Sequence, residues 1–370
     1  MKFSVLQENL ARAVSVVGRF VSGKVQVPVL ANFLIRGEEG EMVLAATNMD
    51  TGIEFLVGAK VEKGGGFTVP AKVFGELVDS LPQGKVKVEL EKDYLGVKSG
   101  SFESKFQGVV AEEFPKFPKQ QKVKQEKVEV LEVAEVLGRV GYAASNDETR
   151  PALTGIFFDL KGKKSLLAAT DGYRLSVDGL KGYSGEGGEG FLVSARVLNE
   201  GVRVFKELGL EEMSVGLSVE QKQLFLTGER IKIVTRLLEG EFPAYRKIVP
   251  QKSEVVVEID KEELLQAIRA TAIFARESAN IIRWTLNKKG LVVEANSPQV
   301  GENKVEVGVE FKKEGEGKIA FNSRYLIDFL SNVSGEKIEF GMNEALQPGL
   351  FREKGRKDFL HVIMPVRVQE

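Results

Sequence analysis

The sequence predicts an α+β protein made of three similar domains in tandem, each with two helices and several antiparallel strands. Three observations carry this. The 370 residues suffice for two or three domains at about 100–200 residues each. Three separate motifs recur in the same order at about one third of the chain length. Within each third, apolar residues switch in the same order between a period of two and a period near 3.6.

The repeats are specific. FTVPAKVFGELVDSL, FLVSARVLNEGVRVF and IAFNSRYLIDFLSNV each join a short apolar run to a basic residue that opens an amphipathic helix. Those basic residues, Lys72, Arg196 and Arg324, lie 124 and 128 positions apart. LAATNMD, LAATDGY and VEANSPQ place Asn48, Asp171 and Asn296 at intervals of 123 and 125. EFP occurs at 113–115 and 241–243. Three echoes at one spacing point to a threefold duplication, and a domain-sized period excludes a solenoid. The basic, Gln-rich run 116–130 reads as a linker, and 250–259 takes its place one period later. The expected domains are 1–121, 122–251 and 252–370.

Each third opens on a strand: KFSVL at 2–6, KVEVLEV at 127–133 and EVVVEID at 254–260. Helices follow at 8–20, 134–144 and 262–276, with apolar residues such as Leu10, Val14 and Val17, or Leu264, Ile268 and Ala272, on one face. KVKVELEKDYLGVKSG alternates around a turn near Asp93. Second helices begin at Lys72, Arg196 and Arg324, and further strands complete each domain.

Composition removes whole classes of chemistry. Lys plus Arg is 52 and Asp plus Glu is 53, so there is no polybasic tail, although a neutral chain can still segregate charge by face. With no cysteine, disulfides, zinc ribbons, Fe–S clusters and thiol nucleophiles are excluded. The single histidine, His361, cannot form a two-His metal site, and in FLHVIMPVRV it reads as a surface or partly buried structural residue. No cofactor or metal is expected. No apolar run approaches the ~18 residues of a membrane span. The N-terminus meets Glu8 and Asn9 too early for a signal peptide. A cytoplasmic protein is expected.

GEGGEG at 185–190 matches a dinucleotide fingerprint by letter, but a strand follows it where a helix is needed, and it reads as a loop. Glu148 and Asp171 could pair as acids in a hydrolase, though nothing in the sequence brings them together. The arginines are more informative. Arg12 and Arg19, Arg196 and Arg203, and Arg269 and Arg276 are each seven apart, which puts each pair on one helix face. Such faces suit phosphate contact without base readout. The run VIMPVRV at 362–368 stays apolar almost to the terminus and reads either as a last strand or as part of an apolar groove.

TDGYRLS at 170–176, EFPxYR at 241–246, MPVRV at 364–368, VPVLANFLI at 27–35 and ATNMDTGIEF at 46–55 together resemble the bacterial DNA polymerase III β subunit family, the sliding clamps. The resemblance spans essentially the whole chain. It implies three DNA-clamp domains per chain and a head-to-tail homodimer ring. Helices would line a hole for duplex DNA, encircled without sequence readout, and sheets would form the rim. By the same resemblance Lys24, Arg150, Arg196, Arg203, Asn322, Arg324 and Tyr325 lie near DNA. Pro151 and Ala152 stand where some members carry aromatic residues. A pocket for partner peptides is implied at Leu153, Thr170, Gly172, Tyr173, Arg174 and Leu175, at Pro243, Lys247 and Ile248, and at Val362, Met364, Pro365, Val366 and Arg367. Each of the three segments 170–175, 243–248 and 362–367 offers apolar atoms beside a basic side chain, Arg174, Lys247 or Arg367. Val366 and the ending VQE depart mildly from the more usual Met and Leu. The implied seam between chains joins Phe106 to Ile273 and Phe274. The implied function is a non-enzymatic processivity factor whose partners are replicative polymerase, clamp loader and other peptide-motif proteins. The alternatives are a carboxylate-dependent hydrolase and a repeat-built carbohydrate-binding or adhesion module.

Overall fold

A computed structural model describes the chain except residues 22–26, 118–122, 163, 186–187, 189 and 368–370. Its helices are α1 (Gln7–Gly18), α2 (Ala71–Ser80), α3 (Val130–Val140), α4 (Ala195–Glu207), α5 (Lys261–Ala275) and α6 (Ser323–Asn332). α1, α3 and α5 each follow a short strand, Lys2–Leu6, Gln125–Glu129 and Val255–Asp260. α2, α4 and α6 open one residue before Lys72, Arg196 and Arg324, on a small buried residue: Ala71, Ala195 or Ser323. α3 differs from expectation. The alternation in KVEVLEV suggests a strand to 133, but the helix starts at Val130. Val130, Val133, Val136, Leu137 and Val140 form its buried stripe, whereas Leu131 is 60% exposed. The i, i+3, i+4 pattern wins because it buries five side chains on one face. No helix among the described residues is long and apolar enough to cross a membrane.

The chain folds as two compact units, Met1–Leu131 with Glu200–Leu237, and Glu132–Asn199 with Leu238–Glu370. The first holds two sheets. A five-stranded sheet runs Lys60–Lys63, Lys2–Leu6, Lys85–Glu91, Tyr94–Ser99, Phe102–Gln107. An eight-stranded sheet runs Gln125–Glu129, Glu212–Ser218, Gln223–Thr227, Ile231–Arg236, Thr51–Gly58, Glu41–Thr47, Asn32–Glu38, Gly65–Pro70. Its middle joins strands from two repeats, with Thr235 opposite Thr51 and Val234 opposite Gly52. The Thr51 and Thr235 hydroxyls meet there, buried, at 3.0 Å. α1 buries Leu10, Ala13, Val14 and Val17 against α2 and the sheets.

The second unit repeats this plan. Its nine-stranded sheet runs Phe191–Ser194, Gly155–Asp159, Ser165–Thr170, Arg174–Leu180, Leu360–Ile363, Gly349–Glu353, Lys337–Met342, Val255–Asp260, Val309–Lys313. Its four-stranded sheet runs Gly301–Val307, Gly290–Ser297, Ile281–Asn287, Gly317–Asn322. Trp284 sits in the core edge-on to Phe321 and Phe340, with centroids 5.4 and 5.0 Å away. Burying aromatic rings of this kind contributes roughly 1.5–3 kcal/mol each. A buried ion pair, Arg139 Nε to Asp178 Oδ2 at 2.6 Å, ties α3 to the strand Arg174–Leu180. Among the edge strands of these four open sheets are Phe102–Gln107 in the first unit and Gly301–Val307 in the second, each paired on one side only among the described residues.

Candidate functional site

In the second unit the segment TDGYR forms a turn held by its own side chains. Thr170 Oγ1 donates to the Arg174 carbonyl at 2.5 Å and accepts from the Gly172 amide at 3.0 Å. Asp171 Oδ1 accepts from the amides of Tyr173 and Arg174 at 2.9 and 3.0 Å. Gly172 has φ +95°, a conformation that glycine adopts without steric cost. The turn launches the strand Arg174–Leu180, which pairs antiparallel with Leu360–Ile363. Arg174 faces Ile363, Leu175 faces Val362, and Ser176 faces His361. Beyond that strand, the Met364 amide donates to the Tyr173 carbonyl and the Val366 amide to the Ala320 carbonyl, each at 2.8 Å. These two bonds hold the segment 364–366 in place.

Under the turn lies an apolar floor of Ala168, Leu175, Val177, Leu350, Val362 and Tyr245, flanked by Phe157, Phe242, Val249 and Leu360. Phe157 and Phe242 stack at 5.1 Å. The Tyr245 hydroxyl donates to Asp159 Oδ2 at 2.6 Å, and Arg246 donates to the same oxygen from Nε at 3.0 Å and Nη2 at 2.8 Å. Burial pushes the Asp159 carboxyl up, but these hydrogen bonds outweigh it and hold the group below its usual range. Burial first, then the Asp159 charge, pushes the Tyr245 phenol up. The phenol therefore remains a donor, and the EFPxYR segment is clamped onto the sheet. Around the floor the rim exposes apolar surface at Tyr173 (59%), Ile248 (43%) and Met364 (36%). Lys247 and Arg367 are exposed on the segments that carry this rim. Apolar anchoring positions with a polar rim suit a short peptide bearing hydrophobic side chains.

The residues expected at the pocket all lie in this unit. Thr170, Leu175 and Val362 are buried, Leu153, Pro243, Pro365 and Val366 half-buried, and Gly172 exposed. Arg174 differs from the expected rim cation. Its guanidinium is 10% exposed, bound to Asp171 Oδ2 at 3.1 Å, Asp328 Oδ2 at 2.5 Å and the Tyr142 carbonyl at 2.9 Å, and it lies over the Tyr325 ring. It ties the turn to α6, with three of its five N–H donors engaged by these partners. His361 is likewise not a surface or partly buried residue but fully buried, stacked on Phe329 at 4.8 Å. Phe242, Tyr245, Val177 and Leu350 were not foreseen as floor residues. Phe242 and Tyr245 stand within EFPxYR, so the repeated aromatic beside Pro243 was the available signal.

Lys72, Arg196 and Arg324 are exposed in the first turns of α2, α4 and α6. The helix dipole disfavours cations at these positions. None of the three, nor Arg12, Arg269 or Arg276, has an ion pair among the described residues. Others are spoken for. Arg19 is held by Glu200 and Glu207 at 3.1 and 2.7 Å, Arg203 pairs with Glu207 at 2.9 Å, and Arg150 lies 3.4 Å from Asp147. Asn322 caps α6, accepting from the Arg324 amide at 3.0 Å. Tyr325 stacks on Tyr173 at 6.5 Å. Lys24 lies outside the described residues. Of the expected seam residues, Phe106 is on the free edge strand but packed on Phe74 at 5.4 Å. Ile273 is 53% exposed on α5, and Phe274 is half-buried.

Asp171 spends its oxygens on its own turn, and no cluster of three or more metal-ligating side chains occurs among the described residues. The loop 185–190 falls partly outside the described residues.

Two junctions of the same design and three basic helix starts define a duplicated clamp architecture, and comparison with known proteins agrees. Models of the DNA polymerase III beta subunit match in order: the N-terminal domain over 1–118, the central domain over 127–244 and the C-terminal domain over 246–367. The chain belongs to this family. The beta sliding clamp of Synechocystis sp. is 31% identical over the full length of both chains. That of Bacillus subtilis is 26% identical over 99% of this chain and all of its own. A crystal structure of the Bacillus subtilis clamp superposes with a TM-score of 0.93 at 23% identity, covering both chains fully. A Pseudomonas aeruginosa clamp solved bound to griselimycin also scores 0.93, at 26% identity and full coverage. The family consists of non-enzymatic processivity factors, and sliding-clamp function is the reading these likenesses support.

Proposed function

We propose that this chain closes head to tail with a second copy into a ring around duplex DNA in the cytoplasm, and tethers polymerase, clamp loader and other motif-bearing proteins through the pocket at residues 170–175, 242–249 and 362–367. One observation carries the ring. Strand Thr51–Gly58 of the first repeat pairs with Ile231–Arg236 at the end of the second. Strand Arg174–Leu180 of the second pairs with Leu360–Ile363 at the end of the third. The strands left over in this series are Gly301–Val307, in the corresponding place of the third repeat, and Phe102–Gln107, at the end of the first. A free strand edge seeks a partner, and a heterologous contact between copies closes when its rotation allows. Residues 1–121, 122–251 and 252–370 are the proposed repeats; the first boundary lies among 118–122, outside the described residues. Lys24, Arg150, Arg196, Arg203, Asn322, Arg324 and Tyr325 are proposed on the DNA side. Those with free charge would contact phosphates and those already bonded would shape the surface. Phe106, Ile273 and Phe274 are proposed near the seam.

The test is topological. Protein loaded on closed circular DNA should persist in high salt and be lost once the circle is cut. Equal retention on open-ended linear DNA would refute the ring. Sedimentation equilibrium should report a dimer at micromolar concentration, and a monomer there would count equally against it.

A further inference from the structure

The first unit contains a second copy of the pocket's frame, matched bond for bond. Thr47 Oγ1 donates to the Thr51 carbonyl at 2.9 Å and accepts from the Met49 amide at 3.1 Å. Asn48 Oδ1 accepts from the amides of Asp50 and Thr51 at 3.1 and 2.7 Å. The Arg236 amide donates to the Asp50 carbonyl at 2.8 Å, as Met364 does to Tyr173. EFPKF at 113–117 parallels EFPAY at 241–245. Phe114 is buried beside Leu34 and Ala45 and stacks on Phe117 at 6.2 Å.

The side chains on that frame have changed character. Gly52 stands where the other copy has Leu175, and a Cβ there would come 2.5 Å from the Phe117 ring, so the ring occupies the leucine's place. Met49 holds the left-handed conformation, φ +81°, that Gly172 takes in the other copy. A non-glycine residue kept in that conformation marks a position where the side chain is wanted. Arg236 replaces Met364, Lys116 replaces Ala244 and Asp50 replaces Tyr173. Between them is a cleft of about 160 Å³, lined by Met49, Phe117 and Val234 together with Lys116, Arg236 and Asp50. That is close to the ~150 Å³ of a cavity that takes up benzene. Arg236 is 65% exposed, and Asp50, at 3.9 Å, is its one ion-pair partner among the described residues. Lys116 is exposed and has no ion-pair partner among the described residues.

We propose that this cleft is a second peptide-binding site, with a preference opposite in charge to its cations. It would take a short acidic segment, with one apolar side chain against Phe117, Val234 and Met49 and flanking carboxylates over Lys116 and Arg236. The inference rests on reading the 170–175 frame as a peptide seat, and the experiment separates the two.

Each site carries one exposed methionine, Met49 at 59% and Met364 at 36%, while Met1, Met42, Met213 and Met342 are buried. Full-length protein labelled with 13C at the methionine methyls is titrated with the peptide EELFDD and with its neutral counterpart QQLFNN. The Met49 resonance should move saturably with EELFDD, and QQLFNN should bind about tenfold more weakly. Lys116→Glu with Arg236→Glu should weaken the Met49 response about tenfold and leave Met364 unchanged. A Met49 resonance that stays put while Met364 responds would overturn the proposal, as would one that titrates equally in the charge-reversed protein. A static Met364 with a responsive Met49 would sink the pocket reading in the second unit and leave this site standing. Both static would refute both.

Discussion

His361 makes the stability of this chain acid-labile in a pH range where no other side chain ordinarily titrates. Its Nδ1 lies 2.6 Å from Ser176 Oγ and 3.1 Å from the Tyr142 hydroxyl, while Nε2 is buried without a partner among the described residues. Ser176 in turn donates to Tyr142 at 3.0 Å, an order that places the ring proton on Nδ1. A second proton would charge a ring stacked on Phe329 and near Phe351. Burial, aided by the Arg174 charge, therefore holds the imidazole well below 6.5. The unfolded chain binds a proton near 6.5 and the folded chain does not, so stability is full above 6.5 and falls as pH drops through it. With the folded ring neutral throughout, linkage gives a loss of up to about 2 kcal/mol between pH 7 and pH 5. Because the chain has one histidine, His361→Gln should remove that component. Urea unfolding midpoints of both proteins at pH 5, 6 and 7 measure it. The variant begins less stable at pH 7, and the gap should narrow by roughly that amount at pH 5. Parallel curves would refute the reasoning. Glu258 acts in a separate window. Lys337, Lys354 and Lys312 hold its carboxyl down to about 2, so its contribution is present above 4.5 and fades only as pH falls toward 2.

Three other outcomes are expected. Removing residues 364–370 should abolish calorimetrically detected binding of a Leu/Phe-containing polymerase tail peptide, normally near micromolar or about −8 kcal/mol, while sedimentation still reports a dimer. Met49→Gly should raise thermal stability by about 0.5–1 kcal/mol, because relief of the left-handed strain exceeds the extra glycine entropy. Arg196→Glu with Arg324→Glu should weaken binding to short linear duplex and flatten its log–log salt slope by about 0.9 per lost phosphate contact. Retention on closed circles, once loaded, should be unaltered.

What the sequence reveals is what local pattern encodes. Lys72, Arg196 and Arg324 mark the second helix of each repeat to within one residue, because an apolar strand, a small residue and an amphipathic run are neighbours in the chain. The start of α3 is misjudged because Val128, Val130 and Glu129 satisfy the strand period as well as the helical one, and only packing decides. Arg174 looks like a free cation because its anchor, Asp328, lies 154 residues away. His361 looks peripheral because the tyrosine and serine that bury it belong to another repeat. Pairings such as Leu175 with Val362 leave no trace in composition. The repeat spacing predicts that equivalent strands exist, and the structure supplies which of them meet.

In the ring proposed above, the edges at Phe102–Gln107 and Gly301–Val307 would set where the closed circle gives way. Junctions inside a chain are backed by covalent continuity: strands that part remain at high effective concentration and re-pair. A seam between two copies has no such tether, so parted strands can diffuse away. Of the equivalent joins in the assembly, only those between copies are exposed to dilution. Opening is thereby confined to them, and their dissociation rate becomes the clock for spontaneous escape from DNA. Charged residues along both edges, Glu103 and Lys105 on one and Glu302, Lys304 and Glu306 on the other, make that clock responsive to ionic strength.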